Sequence, residues 1–202
     1  MERILITGAG GSVGQMLTKR LLEDGAQVCV FDQDEDAIFR LEQQYVNHPK
    51  YESLRFFIGN VRDQKRLLRA FQGVNTVFHC AALKHVYLSE SNPFETTSTN
   101  IDGVNNIIES ALQSSVEKVI FTSSDKAVNP SSTMGATKLV GERLFTAANY
   151  HSGKSQTKFG SVRFGNVLNT NGSVLTVFNE MQKRGKPIPI TSTEMTRFFI
   201  TM

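Results

Sequence analysis

The sequence predicts an α/β fold, a doubly wound parallel sheet with helices on both faces. Two observations carry this expectation. Short apolar runs alternate along the chain with longer segments whose apolar residues recur at helical spacing, the alternation that right-handed β–α–β crossovers produce. The first run ends in a glycine cluster that opens a helical segment, a strand–turn–helix junction suited to holding a phosphate group.

The elements follow in order. Ile4–Thr7 is the first expected strand, and Val13, Leu17 and Leu21 mark the helix after it. Val28–Asp32, Leu54–Ile58, Thr76–His79, Val119–Thr122 and Lys158–Arg163 are the further strands. Ile101, Val104, Ile108 and Leu112 form a helical stripe before the fifth run, and Leu139, Leu144 and Ala148 form another after Met134. After Arg163 the rhythm changes. Asn169–Ser173 reads as a turn, Val174–Arg184 as a helix, Gly185-Lys-Pro-Ile-Pro189 as a break, and Phe198–Thr201 as a last apolar stretch. The expected organisation is a dinucleotide-binding domain over residues 1–165 and a small, truncated C-terminal substrate lobe over residues 166–202.

Composition narrows the function classes. The chain has 202 residues, enough to bury one α/β core and part of a second lobe. Hydrophobic residues make up 40% and charged residues 20%, ordinary values for a globular protein. The formal charge of +3 is spread along the chain, so charge gives no support to nucleic-acid or membrane-surface binding. No apolar run approaches the ~20 residues of a membrane-spanning helix. The chain enters a strand directly after Met1-Glu-Arg3, leaving no room for a signal peptide. Cys29 and Cys80 are expected in buried strands, without a Cys-x-x-Cys pair. They read as small core residues of a reduced, cytoplasmic protein, and no metal site is expected. His48 and His151 are expected at the surface.

The glycine cluster supplies the first half of a site. In Gly8-Ala-Gly-Gly11-Ser12-Val13-Gly14, glycines permit a tight turn and let a pyrophosphate approach the N–H groups at a helix start. Asp32 closes the second strand, where a carboxylate accepts hydrogen bonds from ribose hydroxyls and repels a 2′-phosphate. With Gln33 and Asp34 beside it, the pattern selects NAD over NADP in a Rossmann-type domain. Asn60 and Val61 follow the third strand as candidates to hold adenine. Ala81 and Ala82 follow the fourth, where small side chains let the cofactor lie against the backbone. The second half is Thr122–Lys138: Asp125 and Lys126 stand side by side where an apolar strand ends, and Lys138 follows Met134 at helical spacing. An acid and an amine facing a nicotinamide are an enzyme's equipment.

Several strings now join: Ala81-Ala-Leu-Lys-His-Val86, Thr122-Ser-Ser-Asp-Lys-Ala-Val-Asn-Pro130, Met134-Gly-Ala-Thr-Lys138, Arg163-Phe-Gly-Asn-Val167 and Met195-Thr-Arg-Phe-Phe-Ile-Thr201. On these the chain resembles the extended short-chain dehydrogenase/reductase superfamily. Within it, the chain resembles the nucleotide-sugar 4,6-dehydratases of polysaccharide and glycan biosynthesis, and the Asp-Lys-Ala-x-Asn-Pro string is the most specific part. The resemblance implies a UDP-N-acetyl-hexosamine substrate such as UDP-GlcNAc, oxidised at C4, dehydrated across C5 and C6, and reduced at C6. It implies Lys126 as the C5 base, Asp125 as the acid for the departing 6-hydroxyl, and Lys138 on the nicotinamide ribose. Ser123 or Ser124 orients the 4-hydroxyl. Desolvation beneath the sugar is expected to favour neutral Lys126 and protonated Asp125. Lys84, Asn166 and Arg197 are the substrate-binding candidates. His85 reads equally as a turn residue, and Asn100 as structural.

The departure is Met134, where the superfamily usually carries a tyrosine that takes the hydroxyl proton. Some members of the dehydratase family also carry methionine here, and another group, Asp125 or a water, then accepts that proton. A nucleotide-sugar epimerase or reductase and a non-catalytic NAD-binding module are the competing readings. A homo-oligomer, such as a helix-paired dimer, is common in families of this kind.

Overall fold

The computed structural model describes residues 2–151, 153, 155–168, 170, 173–190 and 192–201. The chain divides into two compact units, residues 1–163 and 164–202. The turn expected at Asn169–Ser173 falls, at residues 169, 171 and 172, outside the described residues.

In the first unit, β1 (Arg3–Thr7), α1 (Ser12–Glu23), β2 (Gln27–Asp32), α2 (Glu35–Tyr45), β3 (Leu54–Ile58), α3 (Gln64–Ala70) and β4 (Thr76–His79) form the first half. Then come α4 (Val86–Ser91), α5 (Pro93–Thr97), a π-helical segment Ser98–Asp102, α6 (Gly103–Gln113), β5 (Lys118–Ser124), α7 (Thr133–His151) and β6 (Lys158–Phe164). The strands form one sheet in the order β3-β2-β1-β4-β5-β6, with parallel pairing from β3 across to β5. The order reverses direction beside β1, and in doubly wound sheets ligands gather at the carboxyl ends of the strands there.

Both faces are buried, as a parallel sheet demands. In β1, Leu5 joins one apolar cluster with Phe31, Val104, Phe121 and Phe145, while Ile4 and Ile6 join the other with Val28, Val30 and Leu41. Rings link four elements on the first face. His79 stacks on Phe121 at 5.7 Å, Phe121 meets Phe145 at 5.2 Å, and Phe145 meets Phe159 edge-on at 5.5 Å. Gly141 is what lets α7 approach so closely, because a Cβ there would stand 2.8 Å from the Phe121 ring.

Two expectations change. Cys80 lies one residue past β4 and is only partly buried, because the strand ends at His79. The helices α4 and α5 were not anticipated, since Tyr87, Leu88 and Phe94 put apolar side chains in solvent and break the periodic signal. Among the described residues no helix is long and apolar enough to cross a membrane.

The second unit contains a parallel pair, β7 (Asn166–Val167) and β8 (Phe199–Ile200), and the helix α8 (Val174–Lys183). Gly165 passes close to the Phe198 backbone, and the Asn166 N–H donates to the Phe198 carbonyl at 2.8 Å. No residue of α8 is buried.

Candidate active site

The turn after β1 is shaped by its glycines. Gly8 adopts a positive φ of 69°, and a Cβ there would stand 2.6 Å from the Ala81 nitrogen. Gly14 is buried against the Gly8 carbonyl and Ala9. Gly11 differs, for a Cβ on it would meet only the Gly8 oxygen, at 3.3 Å. Packing thus requires Gly8, Gly14 and also Gly10, whose Cβ would stand 2.5 Å from Ala37 Cβ, while Gly11 faces space at the start of α1. Gly11 is the N-cap and supplies no side-chain cap, so Ser12 and Val13 begin the helix beside backbone N–H groups suited to an anion.

Asp32 reaches this turn directly. Its Oδ2 accepts from the Gly10 N–H at 2.9 Å and its Oδ1 from the Asp34 N–H at 3.1 Å. Asn60 donates to Gln33 at 2.8 Å and accepts from the Arg62 N–H at 2.9 Å. The Val61 side chain is 4% exposed and packs in the core under Gly103. Ala81 and Ala82 follow β4 half-buried, and the Ala81 N–H donates to Thr7 Oγ1 at 3.4 Å. The residues fit a dinucleotide: an uncapped helix start for its phosphates, a carboxylate at the end of β2 for a ribose, and small residues after β4.

The acid and amine stand at the end of β5. A 3-10 turn, Asp125–Ala127, follows Ser124, whose Oγ accepts from the Lys126 N–H at 3.2 Å and donates to Asp125 Oδ1 at 2.9 Å. Lys126 Nζ donates to the same oxygen at 2.9 Å. The side chains are 34% and 26% exposed for Lys126 and Asp125, the accessibility a substrate needs. Burial raises the Asp125 carboxyl, but hydrogen bonds from Lys126 and Ser124 outweigh it and hold the group below its ordinary value. This is opposite to the direction expected of an acid. The lysine that was to be its partner in proton transfer is also the donor that keeps it ionised.

The two serines separate cleanly. Adjacent strand residues face opposite sides, so Ser124 joins the Asp125–Lys126 turn while Ser123 donates to Glu142 at 2.6 Å. Of the two serines, only Ser124 therefore remains a candidate to orient a substrate hydroxyl.

α7 brings the second lysine. Met134 is 3% exposed in its first turn, a thioether where a phenol was usual. Lys138 is 6% exposed; its Nζ donates to the Thr122 carbonyl at 2.9 Å and lies 4.6 Å from the Phe121 ring centre. Burial pulls its ammonium down from 10.5 to about 8, with Cys80 and Glu142 pulling partly back. The same environment raises the Cys80 thiol to about 12, chiefly by burial, and lowers His79 to about 3 through burial and the Lys138 cation. His79 hydrogen-bonds Thr7 Oγ1 through Nδ1 at 2.7 Å. Both Cys80 and His79 stay neutral at ordinary pH.

Lys84 and His85 are exposed at the entry to α4, His85 as its N-cap. Asn166 and Arg197 belong to the second unit, where Arg197 Nη1 donates to the Thr196 carbonyl at 2.8 Å. Sequence reasoning missed two contributors. Gly135 lets the Asp125–Ala127 turn touch α7, since a Cβ on it would run into the Lys126 carbonyl. Glu142 gathers Ser123 and Arg163, and its signal was there: it continues the four-residue spacing from Met134 to Lys138. Asn100, expected to be structural, brackets Leu83 by accepting from its N–H at 2.8 Å and donating to its carbonyl at 2.9 Å. It also donates to Thr137 Oγ1 at 3.0 Å, tying the loop after β4 to α7. Among the described residues no group of three or more His, Cys, Asp or Glu side chains is arranged to hold a metal.

Sheet order, glycine turn and basic helix define a dinucleotide-binding α/β protein. Residues 4–202 match the family of polysaccharide biosynthesis proteins, and the chain belongs to that family. It is 44% identical over 204 residues to a UDP-N-acetylglucosamine 4,6-dehydratase (inverting) of Campylobacter jejuni, covering 100% of this chain and 60% of that one. It is also 37% identical over 208 residues to a UDP-glucose 4-epimerase of Rickettsia rickettsii, covering 100% and 59%. The chain thus spans about 60% of the length of these curated relatives. The crystal structure of Pen from Bacillus thuringiensis superimposes with a TM-score of 0.95 at 40% identity, over 99% of this chain and 61% of that one. MoeE5, solved in complex with UDP-glucuronic acid and NAD, superimposes with a TM-score of 0.85 at 26% identity, over 98% and 68%.

Proposed function

We propose that this protein is an NAD-dependent nucleotide-sugar 4,6-dehydratase acting on a UDP-N-acetyl-hexosamine, with UDP-GlcNAc the first substrate to try. The observation that carries the reading is the accessible Asp125–Lys126 pair, set on a turn against the helix that carries Lys138. Gly8, Gly11, Ser12, Val13, Gly14, Asp32, Asn60, Ala81, Ala82 and Lys138 hold the cofactor, with Val61 shaping its pocket from below. NAD supplies a hydride acceptor for C4 and a donor for C6. Lys126 takes the C5 proton, made acidic by the C4 ketone. Asp125 hands a proton to the 6-oxygen, which leaves as water, and a proton returns to C5. Net, the sugar loses one water and keeps its oxidation level.

The resting state fits a shared proton. Starting from the ion pair, the Lys126 ammonium gives one proton to solvent and Asp125 receives the C4 hydroxyl proton, which leaves an acid beside a neutral amine. Met134 cannot take the hydroxyl proton; Asp125 is the proposed acceptor, with a water the alternative. Lys84 is the proposed substrate contact of the first unit.

An epimerase is the second reading, favoured by the Rickettsia relative. C4 epimerisation needs no base at C5, so one experiment separates the two. Incubation with UDP-GlcNAc in deuterium oxide is expected to give a product one water lighter, with deuterium at C5. Lys126→Met abolishes that exchange while leaving NADH binding intact. A C4 epimer of unchanged mass and no C5 deuterium overturns the dehydratase reading.

A further inference from the structure

The hold on Lys138 comes from a cluster that touches neither sugar nor dinucleotide in this reading. Glu142 lies one helical turn beyond Lys138, with its side chain 13% exposed. Ser123 Oγ donates to its Oε1 at 2.6 Å, Arg163 Nε donates to the same oxygen at 2.8 Å, and Arg163 Nη2 donates to Oε2 at 2.6 Å. One carboxylate therefore joins α7 to β5 and to β6.

We propose that Glu142 is a positioning residue for Lys138: clamped between Ser123 and Arg163, it sets where α7 stands along the end of β5, and so where the lysine ammonium meets the cofactor. The inference rests on the cofactor reading above. Geometry gives it force. The packing of Gly141 on Phe121 sets how close α7 comes, but apolar contact is non-directional. A two-pronged arginine–carboxylate contact is directional and fixes register. Lys138 has a long flexible stem, so its 2.9 Å bond to Thr122 is only as well placed as the helix that carries it. Ser123 also adjoins the Ser124–Lys126 turn, so the same clamp steadies both halves of the site.

Charge adds a second hold. Lys138 is faced by neutral His79 at the end of β4, by neutral Cys80 just past it and by Glu142 from its own helix. Arg163 from β6, with Arg143 nearby on α7, keeps Glu142 ionised. Glu142 is therefore the anion that supports the Lys138 cation in a buried setting.

NADH binding followed by fluorescence from about pH 7 to about pH 10, with wild type, Glu142→Gln and Ser123→Ala, tests the proposal. Glutamine keeps the shape and loses the charge. It is expected to weaken binding roughly tenfold, the worth of one charged hydrogen-bond contact. Its alkaline limb moves to lower pH by roughly half a unit or more. Ser123→Ala weakens binding but leaves the limb in place, since the carboxylate remains. Titration of the Lys138 amine by NMR reads the same displacement in Glu142→Gln without any cofactor. A Glu142→Gln curve superimposed on wild type, or an unmoved Lys138 titration, overturns the inference while the cofactor reading stands. A wild-type protein that binds no NADH overturns both.

Discussion

Replacing Lys138 by methionine tests the site at its most costly residue. The residue is 6% exposed and burial brings its ammonium down from 10.5 to about 8. At about 1.4 kcal/mol for each tenfold change in proton affinity, keeping that charge inside the fold costs about 3 kcal/mol at neutral pH. Methionine removes the cost. Against this, the Thr122 carbonyl loses a donor, worth about 1–3 kcal/mol, and the cation over Phe121 is lost, worth about 1 kcal/mol. The terms nearly cancel, so the variant should unfold within about 1 kcal/mol of wild type at neutral pH.

The pH dependence is the sharper readout. An unfolded lysine keeps its proton up to 10.5, whereas the folded one releases it near 8. Between those values the unfolded state binds more protons, so stability rises with pH. Wild type should gain about 3 kcal/mol from this residue across that window, and Lys138→Met none of it. Urea unfolding at about pH 7 and about pH 10 measures the difference, and other titrating groups cancel between the two proteins. Parallel pH dependence in both would refute the buried-charge argument.

Two further outcomes follow from single contacts. Gly135→Ala drives a methyl onto the Lys126 carbonyl and to 3.3 Å from Pro130 Cβ. It should cost about 1–3 kcal/mol in thermal unfolding and, on the proposed function, roughly 10²-fold in product formation by displacing the Asp125–Lys126 turn. Asn100→Ala leaves both backbone groups of Leu83 without their partner. It should lower stability by about 2–3 kcal/mol and speed proteolysis within residues 81–86, read from melting curves and cleavage mapping.

Much of this molecule was legible in the linear chain because its signals are local. Strands β1 to β6 were readable to within a residue or two at each end, most directly the central strands β1, β2 and β4, which are buried on both faces and have little choice of residue. The glycine turn, Asp32 and the Asp125–Lys126 pair are likewise neighbours in sequence or stand at strand ends. What only the tertiary structure decided are contacts between distant residues. Asn100 meets residues 17 and 37 positions away, and Glu142 meets one 19 positions before and one 21 positions after it. The serines show the physical reason. Ser123 and Ser124 are chemically identical, and pleating sends one to the Glu142 carboxylate and the other to the Asp125–Lys126 turn. Which goes where depends on which face of β5 the helix α7 covers. Asp125 carries the same lesson: desolvation beneath a bound sugar was expected to favour its protonated form, whereas in the folded turn hydrogen bonds from Lys126 and Ser124 hold its carboxyl below the ordinary value.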